Sequence, residues 1–144
     1  MPYTVHYDPS CGTLYTALNG VVDFTTVAAW EAELYGAARS LPEGSRFQVI
    51  EDLRGYEVGE QELAVHKEMR EVTPRFLAAH GFVVGFFRLY ERVPPEPTEP
   101  RTCTRVVHLH HDAHKMDRYR ELLASPEESF FSDVDAARDW LARR

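Results

Sequence analysis

The chain has 144 residues, 44% hydrophobic and 27% charged, a composition that fits one globular domain and excludes wholesale disorder. Its 16 basic and 23 acidic residues leave a net charge of −7, which argues against a nucleic-acid module and against docking on an anionic membrane. Cysteines without CxxC spacing, no apolar run near ~18 residues and no basic-then-apolar start predict a soluble protein of the reducing cytoplasm.

In chain order, Tyr3, Val5 and Tyr7 alternate with Thr4 and His6, the period of a half-buried strand. Residues 8–12 (DPSCG) are turn chemistry, and a second strand follows over 13–22, with a bulge or early end near Asn19-Gly20. Val27, Trp30, Leu34, Ala37 or Ala38, and Leu41 then recur at helical steps, with Thr25 as the expected cap. A strand over 47–53 ends in Glu51-Asp52 and leads into a loop bounded by Gly55 and Gly59. A second helix is expected from Glu60, burying Val65, Met69, Val72 and Phe76, with a kink or new turn at Pro74. The apolar run GFVVGFFRLY (81–90) reads as a central strand covered on both faces. Four prolines mark 91–101 as a surface loop. Strand character resumes over 102–110, a helix starts at Asp112, Phe130-Phe131 is a short strand, and Ser132 or Asp133 caps a last helix carrying Val134, Ala137, Trp140 and Leu141.

The order ββαβαββαβα predicts a single α/β domain over 1–144, with a mixed sheet of five or six strands and about four helices. The first and last helices are expected on one face, and self-association as a two-fold dimer is expected through a sheet edge.

Two segments carry a family resemblance. Asp52-Leu53-Arg54-Gly55 stands at a strand end before a helix, and FFSDVDAARDWL (130–141) closes the chain. With the opening hairpin and the Trp30 helix, these resemble the SpoIIAA-like proteins of the STAS/Sec14-like group. The resemblance implies a non-enzymatic regulatory domain that presents the loop and helix after this strand to a protein partner. Its Sec14-like side implies an apolar pocket under a movable helix. The phosphorylatable serine of anti-sigma antagonists would fall near Glu60-Gln61, but no Ser or Thr occurs over 46–72, so a phosphate switch is not carried over.

The expected binding surface comprises Asp52, Arg54, Tyr56, Glu60 and Gln61. An open α/β sheet exposes its crevice at the carboxyl ends of its strands, and a helix start offers unpaired N–H groups. Glu57 and Glu60 would repel an anion, so a protein surface or a neutral apolar molecule is the expected ligand. A competing reading is a small enzyme, either acid–base through Glu51 and Asp52 or metal-dependent through His108, His110 and His114. Solvated strand histidines and a capping Asp52 are the simpler accounts. The favoured reading therefore assigns no catalytic residue, no metal and no cofactor.

Overall fold

The computed structural model describes residues 2–59, 63–85 and 96–143. Nine elements follow one another: β1 (Tyr3–Asp8), β2 (Thr13–Gly20), α1 (Phe24–Arg39), β3 (Arg46–Tyr56), α2 (Leu63–Ala79), β4 (Thr102–Leu109), α3 (Ala113–Leu123), β5 (Glu128–Phe131) and α4 (Val134–Ala142). The five strands form one sheet in the order β1-β2-β3-β4-β5. The β1–β2 hairpin is antiparallel, and β2 through β5 run parallel. The expected mixed sheet is thus present, with five strands and four helices among the described residues.

The sheet's two faces are covered unequally. On one face Leu14, Leu18, Phe47, Val49 and Val106 meet Val27, Trp30 and Leu34 of α1 and Val65, Met69, Val72 and Phe76 of α2. Trp30 is fully buried, and its indole N–H donates to Thr16 Oγ1 at 2.7 Å. Arg75 of α2 locks the two helices together, donating to both carboxylate oxygens of Glu31 at 2.9 and 3.0 Å. Tyr119 of α3 meets Phe130 edge-on at 5.7 Å on this same side. On the other face Ile50, Val107 and Leu109 are covered by Ala137 and Leu141 of α4.

The first and last helices therefore lie on opposite faces, contrary to the sequence expectation. The reason is topological. When parallel strands are laid side by side in chain order, right-handed crossovers put every connecting helix on one face. Among the described residues α4, which follows β5, covers the other.

Three local expectations also change. Asp23, not Thr25, caps α1, accepting from the Thr26 N–H at 2.7 Å. Of the kink or new turn expected at Pro74, the new turn is absent, since α2 runs through Pro74 as one element. The strand expected over 81–90 is absent over its described part. Gly81 (φ 80°) ends α2, with its own N–H bonded to Ala78 O and the Phe82 N–H to Leu77 O. Phe82 and Val84 then bury as irregular chain while Val83 is exposed, and residues 86–90 lie outside the described residues. The period of a short apolar run cannot distinguish a strand from a buried coil.

Candidate functional site at the carboxyl edge

Strand β3 is longer than its apolar run suggests, so Arg54, Gly55 and Tyr56 belong to the strand and not to a loop. It continues because β2 pairs with it to the end, Asn19 against Gly55 and Gly20 against Tyr56, after a register shift beyond Ala17. An added Cβ at Gly55 would meet the tip of the exposed Asn19 side chain, which would have to move aside.

Between Asp52 and Gly55 strand β3 advances three residues against two of β2. This extra residue interrupts the alternation, so Asp52 and Tyr56 lie on different faces although four residues apart. Asp52 points to the α4 side, where it is 5% exposed and fully partnered. The Tyr15 hydroxyl donates to Asp52 Oδ2 at 2.6 Å, while Arg54 donates from Nε to Oδ1 at 2.9 Å and from Nη2 to Oδ2 at 2.8 Å. Burial opposes the Asp52 charge, but the Arg54 guanidinium and the Tyr15 hydroxyl together hold its carboxyl below the ordinary value. Burial and the adjacent carboxylate push the Tyr15 phenol up to about 12. Asp52 therefore anchors Arg54 instead of capping the next helix.

Tyr56 packs with the other layer. Its hydroxyl lies 3.0 Å from His66 Nδ1 of α2, and the two rings stack at 5.7 Å between centroids. Burial, then Arg70 and Lys115, lower the His66 pKa and favour its neutral form. Glu60 and Gln61 lie outside the described residues. The structure thus joins Asp52 to Arg54 and Tyr56 to His66, and does not converge the predicted residues on one point.

Glu51 is buried and faces His108 on β4. His108 Nδ1 lies 2.9 Å from Glu51 Oε1, and Nε2 lies 2.7 Å from Glu128 Oε2 on β5. The ring also stacks on Phe130, 4.8 Å between centroids. Burial disfavours the imidazolium, but the two carboxylates outweigh it and raise the His108 pKa to about 9. Desolvation likewise opposes the Glu51 charge, and His108 overcomes it to hold that carboxyl below its ordinary value. Both ring nitrogens of His108 are engaged, so it cannot join His110 and His114 around a metal. His110 turns elsewhere, its Nδ1 accepting the Asp112 N–H at 3.1 Å and its ring stacking on His111. Among the described residues no three His, Cys, Asp or Glu side chains are arranged to hold a metal ion.

Sequence reasoning missed Tyr15, Glu128 and a rim of exposed apolar side chains. Val21 (54%) and Phe24 (54%) stand where β2 enters α1, and Val58 (47%) and Leu63 (69%) where β3 enters α2. The two connections are neighbours, because the Glu57 N–H donates to Gly20 O at 3.0 Å. A signal for Glu128 was present: two residues before Phe130, it falls on the same strand face.

No helix among the described residues is long and apolar enough to cross a membrane. No family model matches the chain, and no curated protein matches it. Among solved structures the chain is similar to an anti-sigma factor antagonist from Mycobacterium paratuberculosis, at 12% identity and a TM-score of 0.44, covering 97% of this chain and 94% of that one.

Proposed function

We propose that this chain is a non-catalytic regulatory domain that binds a protein partner at the carboxyl edge of its sheet, over Arg54, Tyr56 and the adjoining apolar rim. The observation that carries this reading is the rim itself. Single exposed apolar residues are ordinary, but Val21, Phe24, Val58 and Leu63 present large apolar side chains from two neighbouring connections at one edge. Glu60 and Gln61 stand between Val58 and Leu63 in the chain and belong to the proposed surface by that position.

The ionisable groups support binding over catalysis. A general acid or base needs an atom free to exchange a proton with substrate. Asp52 is bonded to Arg54 and Tyr15, and Glu51 to His108. The strand-end and closing segments that resemble SpoIIAA-like proteins point the same way.

The test is capture from source-cell lysate by wild type and by a Phe24→Ser/Val58→Ser variant. Both positions are exposed, so each change should alter stability by only about 0.5 kcal/mol, which thermal unfolding checks. The variant is expected to lose captured protein about tenfold or more, a loss of roughly 1.4 kcal/mol or more in binding. Retention of every captured partner at wild-type level would place the functional surface elsewhere.

A further inference from the structure

We propose that Glu51, His108 and Glu128 form a proton-dependent clamp, in which the second proton of the His108 ring holds residues 82–85 onto the sheet. Three adjacent strands contribute one group each, and the chain of bonds extends beyond them. Glu128 Oε2 faces His108 Nε2 at 2.7 Å, and its other oxygen, Oε1, accepts the buried Gly85 N–H at 2.9 Å. Gly85 follows Phe82 and Val84, both buried in the α1–α2 layer. The path from ring proton to segment is therefore continuous: His108, Glu128, Gly85, then the apolar side chains behind it.

The switch follows from donor counting. An imidazolium donates from both nitrogens and satisfies both carboxylates, whereas a neutral ring has a single N–H. On deprotonation one carboxylate must face a ring lone pair at hydrogen-bond distance, in a place where water does not compensate it. The two carboxylates are not equivalent. Glu51 lies within β3, and the Thr73 hydroxyl of α2 faces it, without a well-formed hydrogen bond but favouring its charged form. Glu128 is the first residue of β5 and lines a surface cleft of about 250 Å³ with Phe82, Gly85, Leu123 and Ser125. Glu128 has room to leave, and when it does Gly85 loses its acceptor.

The titratable groups around the clamp are few. Glu51 on β3 and Glu128 on β5 favour the charged ring, as its raised pKa reflects. On β4, His110 acts on Glu51 and the Cys103 thiol faces Glu128. From α3, Lys115 acts on His110, and Tyr119 meets the Phe130 ring that carries His108. From α2 the facing group is the uncharged Thr73 hydroxyl.

The experiment is an NMR titration of the full chain from pH 6.5 to 10, following the His108 ring, the Gly85 amide nitrogen and the Val84 methyls. The expected result is one shared midpoint for all three. In Glu128→Gln, which removes a charge but keeps an acceptor for Gly85, that midpoint should fall by at least one pH unit, a tenfold change in proton affinity. Glu127→Gln, at the exposed neighbouring position, should leave it in place. The proposal is overturned if Gly85 and Val84 do not follow the His108 titration in wild type, whether or not the variants fold. It is equally overturned if a folded Glu128→Gln protein keeps the wild-type midpoint.

Discussion

At the residue scale, His80 is buried and His108 nearly so, yet desolvation has opposite outcomes because only one of them faces carboxylates. His80 sits among the rings of Tyr35, Phe47 and Phe76, with its Nδ1 2.7 Å from Phe76 O and, among the described residues, no partner on Nε2. Desolvation lowers its pKa below the ordinary histidine value. A histidine so depressed contributes stability that is present above about pH 6.5, its unfolded value, and lost as pH falls through the folded one. His108 runs the other way. Its folded pKa is raised to about 9, so its contribution, on the order of 3 kcal/mol, is complete below about pH 6.5 and lost as pH rises through that folded value. Urea unfolding from pH 5 to 10 should show a stability maximum near neutrality with loss on both sides. In His80→Leu the acid-side loss should shrink, though not vanish, because His66 and His110 are depressed as well. An acid limb unchanged from wild type would mean that His80 already titrates normally in the fold.

Among the elements, each helix with a defined amino cap has an aspartate there: Asp23 on α1, Asp112 on α3 and Asp133 on α4. The helical stripes were legible in the sequence, since Val27, Trp30, Leu34 and Ala38 are the buried residues of α1 as their spacing requires. The cap was less so, because Asp23 and Thr25 are both competent acceptors two residues apart. Asp23 takes the role because its backbone is extended (φ −109°, ψ 176°) and its carboxylate reaches the Thr26 N–H. Asp23→Ala should therefore cost about 1 kcal/mol and Thr25→Ala less than about 0.5 kcal/mol. Equal losses in denaturant unfolding would restore Thr25 as cap. At the other end of α4, Arg105 of β4 supplies what the helix lacks, donating to Trp140 O, Leu141 O and Arg143 O at 3.2, 2.9 and 2.8 Å. Its guanidinium also lies 4.0 Å from the Trp140 ring centroid, so that indole is half-buried under an arginine rather than sunk in the core. No local pattern reveals this arginine's role, because its carbonyl partners are 21 to 38 residues away.

Across the whole molecule, the unequal covering of the sheet predicts unequal local stability. Helices α1 and α2 have 16 and 17 residues and share one extended core, whereas α4 has nine and buries Ala137 and Leu141 against a smaller cluster. Local opening free energy follows buried apolar contact. Native-state hydrogen exchange should therefore find the amides of α4 opening before those of α1 and α2, with β3 and β4, in the middle of the sheet, slowest of all. Protection in α4 equal to that of β3 would mean that the molecule opens only as a unit.

The sequence by itself determined the hairpin, the element order outside residues 81–90 and the apolar face of each helix, because turn chemistry and hydrophobic period are local properties. It also placed Asp52, Arg54 and Tyr56 at a strand's carboxyl end. Tertiary structure alone decided which of these residues meet. The extra residue of β3 between Asp52 and Gly55 sent Asp52 to Tyr15 and Tyr56 to His66 on opposite layers. The register of three strands brought His108 between Glu51, 57 residues away, and Glu128, 20 residues away. Such pairings depend on how distant segments align, and no local period encodes that alignment.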